Sequence, residues 1–549
     1  MPHHKHQGKR FENFVYNILN SPSKKLFVIV AILVALAGSI MMLPTKLVLA
    51  RMLPGKSANT FNVYVTTPAG SSIQQTKMVS ECVVHTLQQE EAVTDIETFL
   101  GQGSPLNYAG LVKGSALKQG ERFAELVVNL TDKHERDEKS FTMVHRLRPV
   151  INEKCASLVE GTNIAMIEMP SGPPTLASIA VEVYGLYNNE VIKVAQDVAK
   201  ILKQTPKLVD VDVMSETPYK RYQLVPITDK VAKSGLSVEQ VNNILYLAFK
   251  GMQVAVKNTI ELNDQVGIYV ALSKDSKSLE HNTLQDLQTK LSSLYLMNQK
   301  GMMVPLTEVV QIKAIESTPS IYHKDLRTMV NVTAETDMES QVYPLLEARD
   351  MMIEYFSQHG YEVSKVPGIT TYMFDLTLKD KKTGREFLLR WDGEMKVTLD
   401  TFRDLGAAFI AALILIYLLL VIYYKSFAIS GIVLAGSFLS IIGVIIGHWV
   451  ADLVTTDVFF LTATSLIGFI ALMGISSRNS LLLIDFAKSL MEEKGIEKRR
   501  AIAIILGSAL LASDPIFGGL GVALISGTVA AVIVSLIFIP VLMDNTKAI

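Results

Sequence analysis

Long apolar runs stand near the two ends of this 549-residue chain, and none of comparable length lies between. That distribution constrains the fold more than any other feature, because about 20 apolar residues span a bilayer and markedly shorter runs do not. Near the N-terminus the run is 26–43, behind a basic lead of Lys5, Lys9, Arg10, Lys24 and Lys25. In the last quarter the runs are 405–424, 428–450, 458–487 and 519–542, with a short one at 501–512. The first run exceeds the apolar part of a cleaved signal peptide, and no small-x-small site precedes Pro44. It reads as a retained span. Only 19% of residues are charged, below the roughly 25% of soluble domains.

The connectors orient these spans. Lys425 lies between the second and third, and Lys488, Lys494, Lys498, Arg499 and Arg500 follow the fourth. The opposite connectors carry Asp452, Asp457 and Asp514 without Lys or Arg. By the positive-inside rule both termini are expected in the cytoplasm and residues 50–402 outside the membrane. The parity of this pattern requires the short run at 501–512 to cross, giving six spans with the fifth short. Tyr417, Tyr423, Tyr424 and Trp449 fall near span ends, where aromatic belts form. A net charge of -1 excludes a globally basic nucleic-acid binder, and no nucleic-acid partner is expected. His3, His4 and His6 read as solvated tail.

In the exterior portion the hydrophobic period alternates between 2 and 3.6. Strands are expected at 61–67, 93–100, 122–130 and 164–169, with helices at 72–89 and 140–158. That order, βαββαβ, is the split βαβ plan. It restarts with a strand at 178–184, a helix at 190–204 and a strand at 209–215. Its second half follows a hundred residues later, as strand 328–334, helix 342–359 and strand 361–366. Residues 218–325 therefore read as an insertion, with a helix capped by Ser237-x-x-Gln240 and a hairpin turning near Asn263-Asp264.

No phosphate loop, HExxH helix, GxSxG elbow or CxxC pair occurs, so ATP hydrolysis by this chain is not expected. His134-Glu135-Arg136-Asp137 reads as a solvated loop. Cys82 and Cys155 fall on the two helices of the first unit. A disulfide suits an oxidising exterior, but two buried free thiols are the expectation. The fourth span is the functional signal, because it carries Thr462, Arg478, Asn479 and Asp485 among apolar residues. A charge such as Arg478 costs about 2.5–3.5 kcal/mol in mid-membrane, so it needs a partner, a wet cavity, or a snorkelling route toward the level of Lys488. Asp485 reads as interfacial, and Asn479 doubles as helix-packing glue. Gly443-x-x-x-Gly447 fits close helix packing, and His448 reads as an outer-boundary residue without a proton role.

One span, a large exterior body and five further spans resemble one half of a resistance-nodulation-division (RND) efflux transporter. Local stretches carry the same likeness. Met52-Leu53-Pro54-Gly55 with Thr67-Pro68-Ala69-Gly70-Ser71-Ser72 resembles the entry to the first porter subdomain of that family's C-terminal half. Gly301-Met302-Met303-Val304-Pro305-Leu306 resembles the end of its docking insert, and the stretch from Thr462 to Asp485 its tenth helix. Asp514-Pro515-Ile516-Phe517-Gly518-Gly519-Leu520 resembles the entry to its last helix. The resemblance implies an α-helical membrane protein with an α+β periplasmic part, built from two ferredoxin-like split βαβ porter subdomains and a docking insertion.

The implied boundaries are a cytoplasmic N-terminus with the first span at 1–49 and a first porter subdomain at 50–175. A second porter subdomain covers 176–217 and 326–370, interrupted by the docking insert at 218–325. A connector follows at 371–402, and spans two to six at 403–549. The family's central cation falls on Arg478, an arginine where the best-known drug pumps have lysine, with Asn479 after it. Asp485 and Thr462 are weaker relay candidates, and the paired aspartates of the family belong to the half absent from this chain. The implied activity is proton antiport exporting drugs or other amphiphiles across the bacterial inner membrane, driven by the proton-motive force without a cofactor. The implied partners are the complementary N-terminal half, a trimer of complete subunits, a periplasmic adaptor and an outer-membrane channel.

Three other readings compete. A heavy-metal exporter of the same superfamily would need converging methionines, for which Met166, Met169, Met302 and Met303 are the candidates. A protein-translocation accessory also joins six spans to an exterior split βαβ body. An orphan half without transport activity would assemble or regulate instead.

Overall fold

The computed structural model describes residues 21–489 apart from short breaks at 54, 56, 106–107, 114, 116–117, 169–171, 173–174, 216–217, 261, 264, 274–282, 319, 338–339, 367–370 and 456–457. Eight positions between 522 and 534 are also described. The expected span at 501–512, its basic connector and most of 519–542 lie outside the described residues. The chain divides into two units, Met1–Ser215 with Ile321–Ile549, and Glu216–Ser320.

After helix α1 (Pro22–Met41) the chain builds a four-stranded antiparallel sheet from β1 (Thr60–Thr66), β2 (Val93–Gln102), β3 (Gln119–Leu130) and β4 (Asn163–Ile167). Its strand order is β2-β3-β1-β4. Helices α2 (Ile73–Leu87) and α3 (Ser140–Cys155) lie on one face. Period-2 alternation sends Phe61, Val63 and Val65 to that face, opposite Val128, Leu126 and Ala124 of β3. Val79, Val83 and Leu87 of α2 and Met143, Leu147 and Ile151 of α3 close the core. The Ser72–Gln75 capping box starts α2, satisfying two otherwise orphaned N–H groups.

Cys82 and Cys155 form a disulfide, which corrects the expectation of two free thiols. The last residue of α3 comes back beside the middle of α2, and the two Cα atoms lie 5.6 Å apart, within bridging range. Spacing along the chain carries no information about that approach.

The second sheet begins with β5 (Ile179–Gly185), α4 (Asn188–Gln204) and β6 (Leu208–Val213). The unit Glu216–Ser320 then intervenes, closed at its base by β7 (Lys220–Pro226). It contains α5 (Val238–Phe249), with the Ser237–Gln240 capping box formed, then β8 (Met252–Lys257), β9 (Val266–Val270), α6 (Leu284–Ser292) and β10 (Val310–Glu316). Strands β7 and β10 pair antiparallel, and Val231, Val241, Leu291, Leu306 and Val309 form a separate core. Strands β8 and β9 pair as a hairpin with no buried residue.

The second sheet resumes with β11 (Arg327–Thr336), α7 (Val342–Gln358), β12 (Tyr361–Lys365), β13 (Leu376–Asp380) and β14 (Glu386–Asp392). Residues 371–402, expected as a connector, thus carry two strands and the start of a helix. The order outward from the short strand His323–Lys324 is β11-β5-β14-β13-β12, with β6 also on β11. The place beside β5 is taken by β14 rather than by β12. The physical reason is apolar content: Phe387, Leu389 and Trp391 of β14 enter the core, whereas no residue of β12 is fully buried.

Among the described residues, three helices are long and apolar enough to cross a membrane: Pro22–Met41, Glu394–Tyr424 and Phe427–Val454. The second, α8 (Glu394–Tyr424), has 31 residues, about 46 Å at 1.5 Å per residue, against a hydrocarbon core of about 30 Å. Its first turns pack Met395 and Leu399 into the second sheet's core, while Ile414, Leu418 and Ile422 further on are exposed. One rigid rod therefore joins the soluble core to the membrane part. The third comprises α9 (Phe427–Phe438) and α10 (Ile441–Val454), which meet at Leu439–Ser440, and α11 (Ala463–Ser489) follows.

Candidate functional site

The site is assembled from α9, α10 and α11. Thr462 stands one residue before α11, where a helix leaves N–H groups without intrahelical partners. The Thr462 N–H donates to Ser465 Oγ at 3.1 Å and the Ser465 N–H donates back to Thr462 Oγ1 at 3.3 Å. This reciprocal pair is a capping box with serine in the third position. The two hydroxyls also lie 3.0 Å apart, and Thr464 Oγ1 is 2.8 Å from Thr462 Oγ1. Thr462, a sequence candidate for a relay, caps α11 with its own hydroxyl.

His448 joins this cluster from α10. It is fully buried, with Nε2 2.8 Å from Ser465 Oγ and Nδ1 2.7 Å from the Val444 carbonyl oxygen. The Phe459 ring covers it at 5.6 Å. The helix period puts it on the face of α10 that meets α11. The signal available in the sequence was its spacing, one helical turn after Val444 on an otherwise apolar face.

The far end of α11 is built differently. Ser476 and Ser477 are buried, and Ser477 Oγ lies 3.0 Å from Ser437 Oγ of α9. Arg478, the next residue, is exposed, and no described residue pairs with it. Asn479 and Asp485 follow on the same helix, and their side chains lie outside the described residues. Sixteen residues separate Arg478 from Thr462, about 24 Å of helix, so the structure does not bring these two together. Met166 is core, Met302 and Met303 are exposed on the inserted unit, and Met169 is outside the described residues.

The entry to α11 is fastened to the soluble body. Leu461 N–H donates to the Leu49 carbonyl at 2.8 Å, Arg51 N–H to Leu461 at 3.1 Å, and Ala463 N–H to Met52 at 3.1 Å. The Ser340 hydroxyl donates to the Ala50 carbonyl of the same strip from the residues preceding α7. The helix carrying Arg478 is thus tied by backbone bonds to the segment entering the first sheet, and that segment is touched in turn by the Ser340 hydroxyl ahead of α7.

The sequence pattern of the AcrB/AcrD/AcrF family matches residues 3–358 and 370–509. The chain belongs to this family. AcrB/AcrD/AcrF proteins are permeases of the RND superfamily, secondary active transporters rather than enzymes, and the chain is accordingly a multi-pass membrane protein with a soluble porter portion. Among relatives, the swarming motility protein SwrC of Bacillus subtilis (strain 168) is 22% identical across 98% of this chain and 47% of its own length. The multidrug export protein AcrF of Escherichia coli (strain K12) is 21% identical across 98% of this chain and 49% of its own. The chain spans about half the length of the curated relatives it matches. The crystal structure of a heavy metal efflux pump shares the fold, with a TM-score of 0.68 at 17% identity, over 100% of this chain and 53% of that one.

Proposed function

We propose that this chain is the C-terminal half of a proton-driven RND efflux permease, exporting drugs or other amphiphilic compounds from the periplasm or inner membrane. The observation that carries the reading is the extent of the family match, nearly the whole chain against about half of each relative. In this reading six helices cross the inner membrane, the fifth being short, with both termini in the cytoplasm. The two sheets are ferredoxin-like porter subdomains in the periplasm, and Glu216–Ser320 is the docking insert. A complementary N-terminal half supplies the acidic pair, and complete subunits form a trimer with an adaptor and an outer-membrane channel. The names of the relatives favour amphiphile export; the likeness to a metal pump is one of fold.

Arg478 is the coupling cation of this proposal, with Asn479 beside it and Asp485 and Thr462 in lesser roles. A guanidinium stays charged at any pH a cell meets, so it does not release the transported proton itself. It lowers the pKa of a carboxylate within about 4–6 Å by roughly 1–3 units, holding that partner ionised. Protonating the partner frees the arginine to turn elsewhere, which gives α11 two positions. The exposure of Arg478 supports a partner outside the described chain. The backbone bonds at Leu461 and Ala463 supply the link from α11 to the porter portion.

The test is coexpression in a strain stripped of its own pumps, with ethidium accumulation as the readout. This chain alone and an N-terminal half alone are expected to leave accumulation unchanged, and the two together to lower it. Export by this chain alone would contradict the proposal.

A further inference from the structure

The two sheets meet along a seam of ion pairs. On the first side stand Lys113, His145 and Arg148, and on the second Asp210, Glu335 and Asp337. Arg148 bridges Asp210 at 3.2 Å and Asp337 at 2.9 Å, which fastens sheet to sheet. Lys113 reaches further. It ends the short helix Tyr108–Lys113, between β2 and β3, and its Nζ lies 2.6 Å from Glu335 Oε1 on β11. The two side chains are 9% and 18% exposed. A pair so enclosed is costly to break, because removing one partner leaves the other charge buried alone.

The second oxygen of Glu335 is taken up by the residue entering β5. Ser178 donates to Glu335 Oε2 with its backbone N–H, at 3.1 Å, and with its hydroxyl. That N–H belongs to the peptide unit joining Ala177 to Ser178, and the carbonyl of the same unit accepts the Glu394 N–H at 3.0 Å. A trans peptide is planar, with its N–H and C=O pointing opposite ways, so the two bonds lie in series through one rigid group. The next carbonyl, that of Ser178, accepts the Met395 N–H at 3.3 Å. These are the first two N–H groups of α8, which a helix by itself leaves without partners. Gly393, at the N-cap of α8, has no side chain to cap them, and the backbone at 177–178 does so instead. The approach is close enough to require glycine. Gly393 has φ 83°, and a Cβ there would fall 2.6 Å from the Ala177 carbonyl oxygen.

We propose that Glu335 is a positioning residue for the membrane helix α8: it carries the position of Lys113, between two strands of the first sheet, through the 177–178 peptide to the first turn of α8. Glu335 is held as a carboxylate. Burial pushes it up, yet Lys113 and Ser178 outweigh that and keep it below the usual carboxylate value. Its charge strengthens the bonds it accepts, since hydrogen bonds to an ionised acceptor are roughly twice as strong as neutral ones. Withdrawing Lys113 leaves Glu335 without its cation and free to turn, which loosens the peptide that caps α8. The first turns of α8 pack Met395 and Leu399 into the second sheet's core, and the same helix continues as a span. A shift at its start is therefore passed along one rod toward the membrane.

The link depends on α8 as a span and not on the efflux reading, so the two can fail separately. It is tested without a transport assay, by hydrogen exchange and mass spectrometry on the full chain in detergent, following residues 394–402. Lys113→Met and Glu335→Gln should each speed exchange there by roughly tenfold, the scale of one hydrogen-bond partner lost to a buried group. Protection of Asn188–Gln204 should stay unchanged, as the sign of an intact second sheet. Lys113→Arg keeps the cation and should keep wild-type protection. Asp337→Asn cuts one of the Arg148 pairs, so it weakens the seam but should leave 394–402 as in the wild type. Wild-type exchange at 394–402 in Lys113→Met would overturn the proposal, as would a rise spread equally over Asn188–Gln204. So would an Asp337→Asn protein that exchanges there as fast as Lys113→Met, since general loosening of the seam would then explain both.

Discussion

At Gly447 a single hydrogen in place of a methyl group decides whether two helices meet. A Cβ built there would fall onto the Ser526 side chain, and one at Gly443 onto Ala530 and the Ser526 carbonyl. Close approach of this kind is how membrane helices associate without a hydrophobic drive between them. Gly447→Ala is expected to cost about 1–3 kcal/mol through overpacking, seen as a lower yield of monodisperse protein in detergent. Ser526→Gly added to it should restore the yield, since it removes the obstructing atoms. A Gly447→Ala protein with wild-type yield would contradict this contact. The glycine spacing was legible in the sequence, because helix geometry fixes which residues share a face. The partner of His448 was not, since its spacing marks an apolar face without saying that Ser465 comes to meet it.

At the scale of elements, strand and helix ends expected from periodicity fall mostly within about two residues of those observed, because burial on one face imposes its period on the sequence. Strand pairing was less legible. Leu376, Leu378, Phe387, Leu389 and Trp391 do alternate, but nothing local states that β14 docks beside β5. The ion pairs of the seam join residues 62 to 222 positions apart and escape any local pattern. The disulfide is of the same kind. It holds α2 to α3 across 73 residues, and removing such a link costs roughly 2–4 kcal/mol, chiefly by freeing the unfolded chain. Maleimide labelling of the unfolded, unreduced protein should find no reactive thiol, since Cys82 and Cys155 are the only two cysteines. Cys82→Ser should lower the unfolding temperature of the soluble portion by on the order of 10 °C. Two labelled thiols would restore the free-thiol expectation.

For the whole molecule, two joins between the soluble body and the membrane part stand out among the described residues. One is α8, whose first turn belongs to the second sheet's core and whose remainder is a span. The other is the strip at 48–52, hydrogen-bonded to the entry of α11 and touched by Ser340. A displacement of α11 would therefore reach the first sheet through backbone bonds and the second through the Ser340 hydroxyl. The type and place of Arg478 were legible because a charge within a long apolar run is costly. Its partner was not, and no described residue pairs with it. The deciding measurement is export by this chain paired with an N-terminal half, comparing wild type, Arg478→Ala and Arg478→Lys at matched membrane abundance. The account predicts that Arg478→Ala abolishes export with assembly intact, while Arg478→Lys keeps part of it because the charge survives. Near-normal export by Arg478→Ala would contradict it, and would leave Arg478 as a residue that merely reaches the membrane surface.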